Sequence, residues 1–426
     1  MHHGIRREDV GQCSLSLAAL LLLSWAGAVH AQAPTTPSPE VRQQGEQQER
    51  LQREREEAQR GLLKPAPKAP PPSSPEPIKP WPENESPCLP LREVVLVGDS
   101  SQSFQWTIEG LLSGSDPAIG RCLGREGVNG AASRAQQALM ERGYVTSRIV
   151  FREQNIASGR LTLTLLPGRI GAIRFAQADP RANALNAVPT RPGAILNLRN
   201  VEQALENFKR VPSVEADIQI DPADAPDQSD LVIVWRQAFP FRFNATLDDS
   251  GSKSTGKYQS SATLSYDHWW TLNDLFYVTL NQDLGGGQPG KRGTRGHAVH
   301  YSVPMDFWLL GLTQSANRYH QSVAGLNQDY VYSSRSENAE IKLSRLLHRN
   351  ASQKSSASLK GWLRRSSNLI NDTEVETQRR ATGGWELGLA HKAFIGSGTL
   401  DVNLAHKRGT AAFGAIPAPE EAFGRG

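Results

Sequence analysis

Residues 241–406 read as a file of strands in which apolar and polar residues alternate, and nothing else in the chain constrains the fold as strongly. In Phe241-Arg242-Phe243-Asn244-Ala245-Thr246-Leu247-Asp248 every odd position is apolar and every even one polar. Successive side chains of a strand point to opposite faces, so the two faces of such a sheet meet two different solvents. Segments 258–266, 276–281 and 400–404 alternate as cleanly, and 297–303, 308–319, 339–346, 357–364 and 385–392 are compatible, giving about nine strands. Short connections at 271–273, 304–306 and 395–398 are interleaved with long ones at 284–296 and 368–380. Short turns at one end and long loops at the other, on strands with one apolar face, imply a transmembrane β-barrel of the outer-membrane kind, where backbone groups are satisfied only by neighbouring strands.

The polar face supplies Arg242, Asp248, Asp267, Asp283, Glu340, Lys342, Lys360, Arg364, Glu386, Lys392 and Asp401. Both signs are present, as in the lining of a wet pore that accepts polypeptide or ions rather than lipid. Trp269, Trp270, Trp308 and Tyr319 fall at strand ends, where an interfacial girdle is expected; core packing is the other reading of each.

The front of the chain is organised differently. Arg6 and Arg7, an apolar run over 17–28 and Val29-His30-Ala31 make a signal peptide over 1–31, cleaved after Ala31. Residues 32–64 contain a charged helix, at 40–59, that is polar on all sides and so has no stripe to dock on a core. Residues 65–90 are proline-rich and read as an extended linker. Two α+β units follow, at 91–167 and 168–236, each with helices packed on a small sheet. In the first, Phe104, Ile108, Leu111 and Leu112 form one helical stripe, and a second helix runs from an Asn129 cap to Gly143. In the second, a helix capped by Asn197 turns Leu198, Val201, Leu205 and Phe208 inward. Residues 237–426 hold the strands. Cys13 leaves with the leader, so Cys88 and Cys122 remain as an even pair in an oxidising compartment, as a disulfide or as two separate buried thiols.

Several functions are excluded by what is missing. The formal charge is only +4, and no Lys/Arg cluster interleaves with aromatics, so a nucleic-acid partner is not expected. Residues 285–290 match G-x-G-x-x-G and Lys291 follows, but Arg292 stands where a phosphate loop needs Ser or Thr, and Pro289 and Gly293 oppose the helix it requires. There is no H-E-x-x-H and no nucleophile elbow. The chain reads as a non-enzyme with no catalytic, cofactor or metal residues.

Leader, charged helix, proline spacer, two α+β units and a strand array together resemble the outer-membrane transporters of two-partner secretion, the haemolysin secretion/activation (ShlB/FhaC/HecB) family. The resemblance covers residues 32–426. Cys88-Leu89-Pro90 through Cys122-Leu123-Gly124 looks like the disulfide-bearing first polypeptide-transport-associated (POTRA) unit. Tyr144-Val145-Thr146-Ser147-Arg148 and Leu166-Pro167-Gly168-Arg169-Ile170 look like its helix exit and its junction to POTRA 2. Asn273-Asp274-Leu275-Phe276 and the stretch 415–423 resemble early and mid-barrel segments. The resemblance implies an outer-membrane translocator with periplasmic POTRA domains that captures an unfolded exoprotein, a haemolysin or adhesin, and exports it without ATP. The polar helix would be a movable plug. Its other partners would be outer-membrane lipid, periplasmic chaperones and the barrel-assembly machinery.

The family barrel has sixteen strands, so about nine imply a C-terminally truncated chain that cannot close a barrel by itself. Two other readings use the same residues. One is a general barrel-assembly factor of the same superfamily; the other is a non-functional truncated remnant that acts only as a periplasmic binding module.

Overall fold

The computed structural model describes residues 80–416. The expected leader, the charged plug-like helix and residues 65–79 of the linker lie outside the described residues, as does 417–426.

The first α+β unit opens with β1 (Glu93–Gly98), followed by a 3-10 helix over Ser101–Thr107 and a single α-turn over Glu109–Leu112. Helix α1 (Arg125–Glu141), β2 (Arg148–Val150) and β3 (Arg160–Leu166) complete it. Its sheet order is β1-β3-β2, with β1 parallel and β2 antiparallel to β3. Phe104, Ile108, Leu111, Leu139, Leu161, Leu163 and Leu165 meet in one core, and each fully buried leucine contributes about 1.5–3 kcal/mol. Leu112, expected on the inward stripe, is exposed. The segment winds as a 3-10 helix before its one α-turn, and three residues per turn do not hold a 3.6-residue stripe.

Two boundaries move. Trp81 lies in this core, so the folded unit starts inside the proline-rich stretch. Helix α1 begins at Arg125, a turn before Asn129, and its own N-cap residue, Gly124, has no side chain to offer. Glu85 caps it instead, its carboxylate accepting from the amides of Gly124 (2.7 Å), Glu126 (2.7 Å) and Gly127 (2.9 Å). Cys88 and Cys122 form a disulfide across 34 residues, tying the capping segment to the start of the helix. Leu89–Pro90 pairs with Cys122–Leu123 alongside it.

The second unit contains β4 (Arg169–Phe175), α2 (Leu198–Lys209), β5 (Val214–Pro222) and β6 (Gln228–Gln237), in sheet order β4-β6-β5. Asn197 caps α2 as expected, its side chain accepting from the Arg199 amide at 2.8 Å. Val201, Ala204 and Phe208 are buried against Ile233, Leu231 and Trp235. The two units meet where the stretches 144–148 and 166–170 touch: Ser147 Oγ accepts from the Gly168 amide (3.0 Å). Ion pairs Arg169–Asp99 and Arg148–Asp227, both 2.6 Å, close the seam, and hydrogen bonding from Arg169 holds the Asp99 carboxyl below its ordinary range.

Nine antiparallel strands follow, each paired with its neighbours in sequence: β7 (Phe241–Asp248), β8 (Gln259–Asp267), β9 (Leu275–Asp283), β10 (Arg292–Met305), β11 (Trp308–Ala324), β12 (Asp329–Arg349), β13 (Gln353–Ile370), β14 (Arg380–Ile395) and β15 (Gly398–Thr410). A tenth, two-residue strand, Thr373–Glu374, pairs with β13 inside a loop. The glycine-rich loop at 285–290 joins β9 to β10 with Gly285, Gly286, Gly287 and Gly290 all at positive φ, a conformation incompatible with a phosphate-loop helix. The strands run longer than alternation suggests, reaching 17, 21 and 18 residues in β11, β12 and β13.

Candidate functional site

The continuous register decides which residues share a face. Arg242 pairs with Ser265, Ser265 with Tyr277, Tyr277 with His300, His300 with Thr313, Thr313 with Glu340, Glu340 with Trp362 and Trp362 with Gly384. Counting in twos from that row puts all eleven residues from Arg242 to Asp401 named above on one face of the sheet. Lys360 and Glu386 pair at 2.9 Å, and Lys392 and Asp401 at 3.4 Å. Asp283 accepts from the Gly285 (3.1 Å) and Thr294 (2.5 Å) amides near the long-loop end, and Asp248 accepts from the Ser250 amide (3.0 Å). Glu340, Lys342 and Arg364 stand between them in register, Lys342 opposite Lys360.

The opposite face is apolar and bare. Phe243 is 71 %, Leu247 75 % and Leu404 64 % exposed, with Leu264, Leu280, Ile341, Leu359, Leu387 and Val402 open beside them. A continuous surface of that kind is rare on a soluble monomer and matches the lipid side of a spanning sheet. Trp269 and Trp270 stack at 5.6 Å at its lower end, and Phe276 meets Trp269 edge-on at 4.7 Å. Trp308, cross-strand from Arg345, lies under that guanidinium. These tryptophans occupy the girdle position. Tyr319 does not: it lies on the polar face, buried against Tyr332 with ring centroids 6.5 Å apart, because its position in β11 has the parity of Thr313.

Two of the eleven polar-face residues have a second role. Asp267 is fully buried, accepting two hydrogen bonds from Arg242 (3.0 and 2.9 Å) and one from the Ser213 amide of the second unit (3.0 Å). It lies in the seam between sheet and second unit rather than in an open lining. Around it runs a polar junction that alternation gives no sign of. His268 is buried, with Nδ1 accepting the Asn273 amide (3.0 Å), so Nε2–H donates to the Arg181 carbonyl (2.6 Å). Burial lowers its pKa, in keeping with a neutral ring. Asn273, at φ 53°, donates to the Asn183 carbonyl (2.9 Å), and Asn186 reaches the carbonyls of Leu272 and Pro304. Arg210 inserts from the end of α2 and donates to the Asn273 carbonyl (2.9 Å) and Ser302 Oγ (2.7 Å); burial pushes its pKa down to about 10. Asn207 bridges the Ala187 and Asp306 carbonyls, both at 2.8 Å. On the outer flank Glu206 of α2 pairs with Arg349 and with Lys354 (2.5 Å) at the β12–β13 turn. The second unit is therefore docked on three successive short turns, at 268–274, 304–307 and 349–354. The sequence carries no signal for this docking, since Asn273-Asp274, the polar pair at its centre, is ordinary turn chemistry.

The profile of the Haemolysin secretion/activation protein ShlB/FhaC/HecB matches residues 227–425, a ShlB-type POTRA domain matches 89–168, and a second POTRA domain matches 169–222. The chain belongs to the ShlB/FhaC/HecB family. It is 34 % identical over 290 residues to the outer membrane transporter CdiB-2 of Burkholderia pseudomallei strain 1026b, covering 68 % of this chain and 50 % of that protein. The Hemolysin transporter protein HpmB of Proteus mirabilis is 23 % identical over 354 residues, 80 % of this chain and 59 % of HpmB. Among solved structures, CdiB from Acinetobacter baumannii superposes with a TM-score of 0.78 at 26 % identity over 88 % of this chain and 72 % of that one. The chain spans about half the length of the curated relatives it matches. As a member of the family it belongs to the outer membrane, its two α+β units being POTRA domains in the periplasm and its sheet the membrane-spanning part. The short-turn end, which the second POTRA unit grips, is thus the periplasmic end.

Proposed function

We propose that this protein exports an unfolded secreted partner of the haemolysin or adhesin type across the outer membrane, receiving it on the POTRA units and passing it along the charged face without ATP. The observation that carries this reading is the placement of charged residues of both signs on one face, nine of them beyond the Arg242–Asp267 pair, with a POTRA unit fastened to the end of that face by buried hydrogen bonds. A surface that mixes acids and bases binds no one sequence strongly, as a conduit for varied polypeptide requires. The periplasmic chaperones deliver the partner and the barrel-assembly machinery inserts the strands. No step on this path is a catalysed reaction.

Capture uses strand addition. Strand β5 is paired with β6 on one side only, and its other edge has no neighbouring strand among the described residues. Backbone bonds to such an edge give affinity with little demand on sequence. The test is export in cells. Deleting the gene should remove a co-encoded exoprotein from the medium, and restoring it should return the exoprotein; secretion unaffected by deletion would overturn the proposal. Adjacent strand residues direct their amides to opposite sides. Of Asp217→Pro and Ile218→Pro, therefore, one deletes an outward amide without touching the β6 ladder, and that variant should fold and fail to bind the exoprotein.

A further inference from the structure

The lipid-side face of β10, β11 and β12 changes chemistry along one cross-strand row. At the periplasmic end Met305, Trp308 and Arg345 are cross-strand partners. Ten residues along each strand, from 305 to 295, 308 to 318 and 345 to 335, the partners are Arg295, Arg318 and Arg335. Ten residues at about 3.3 Å each, on strands tilted by about 40°, rise roughly 25 Å, the height of the apolar band of an outer-membrane barrel. Since the POTRA units mark the other end as periplasmic, the arginine row stands where the headgroups of the outer leaflet begin.

All three side chains are exposed. One step lower, Arg365 stands opposite Glu337, which is also paired with Arg335 at 2.5 Å. The patch therefore holds four guanidinium groups and a single carboxylate. Like charges directly opposite each other on neighbouring strands repel, and three arginines in one cross-strand row accumulate that repulsion. An anion lying across the row relieves it. The guanidinium fork suits the oxygens of a phosphate, and an anion at this height beside an apolar surface is a lipid headgroup.

We propose that Arg295, Arg318 and Arg335, with Arg365 beside them, form a binding site for the phosphate groups of a phosphorylated glycolipid of the outer leaflet. The site rests on the membrane placement of the sheet and not on what the polar face conducts, so a failed export assay leaves it standing.

The full chain, extracted in mild detergent, is titrated with rough-type lipopolysaccharide and with the same lipid after enzymatic dephosphorylation, and binding is read by native mass spectrometry. Wild type should prefer the phosphorylated form. The triple variant R295Q/R318Q/R335Q should bind it at least about tenfold more weakly, in line with the loss of several charge-assisted hydrogen bonds, while the triple lysine variant keeps most of the affinity. Should the triple glutamine variant fail to fold, R318Q alone, which breaks the row at its centre, should still weaken binding severalfold. Equal binding of both lipids by wild type, or undiminished binding by the glutamine variants, overturns the proposal. So does full displacement of the lipid by inorganic phosphate, which would mark a free-anion site instead.

Discussion

The carboxylate of Asp267 has no contact with water and is held between two parts of the molecule, taking a backbone amide from POTRA 2 on one oxygen and the Arg242 guanidinium on both. Removing one partner of a buried pair costs about 3–5 kcal/mol because the other charge is stranded. Arg242 is 30 % exposed and recovers some hydration. Asp267→Ala is thus expected to cost about 2–4 kcal/mol, seen as a lower midpoint in thermal melts of the purified chain followed by circular dichroism. A wild-type midpoint would show that the seam does not depend on this carboxylate. The sequence placed Asp267 on the correct face, since parity is written in the alternation. That it faces a second domain was not legible, because Ser213 is 54 residues away and nothing local announces it.

At the scale of elements, helix α1 depends on a carboxylate that precedes it by about forty residues. Three amides of its first turn converge on Glu85, an arrangement that also complements the positive end of the helix dipole. Glu85→Ala should destabilise POTRA 1 by about 1–2 kcal/mol, the range of a lost N-cap, and Glu85→Gln by less; thermal melts of the purified chain followed by far-UV circular dichroism measure both. Equal stability of wild type and alanine variant would mean that water replaces the cap. The same distance explains why sequence reasoning started α1 at Asn129: a local search for a capping residue passes over Gly124, while at Asn197, where the cap is local, it succeeds. The outer ends of β11, β12 and β13, after 319, before 339 and after 364, escaped for another reason. Over His320–Ser322, Ser333–Asn338 and Arg365–Asn368 both faces are polar, so period-two contrast vanishes although the backbone ladder continues. Where both sides of a strand meet water, alternation carries no information.

For the whole molecule, the question is how firmly the periplasmic units hold the sheet. Glu206 is the outermost fastening. Burial alone would raise its pKa, but Lys354 and Arg349 outweigh that and hold the carboxyl below its ordinary value near 4.5. An acid with a depressed folded pKa contributes its full stabilisation above the unfolded value and loses it as pH falls through the folded one. Docking should therefore be unaffected at neutral pH and loosen below about 4.5. With Glu206 about half exposed, Glu206→Gln is expected to cost only about 1 kcal/mol and to reproduce the acid behaviour at neutral pH. Spin labels on α2 and on the 350–352 turn would report it as a broadened distance distribution; an unchanged distribution would assign the docking to the buried Asn and Arg contacts alone. Layer order and the strand path were legible, since each follows from patterning within one element; the POTRA units came from the family resemblance, and the disulfide was one of two readings of an even pair of cysteines. The junction was not legible, because it is assembled from turns whose polar residues look like any other turn.

Strand lengths are unequal across the sheet: 8 or 9 residues in β7, β8 and β9, and 17, 21 and 18 in β11, β12 and β13. Among the described strands, the surplus of β11 to β13 continues past an apolar band of about 25 Å as a parapet, while β7 to β9 are spent within it. On the export reading proposed above, a polypeptide leaving beside β11 to β13 meets a wall of paired backbone, and one leaving beside β7 to β9 does not.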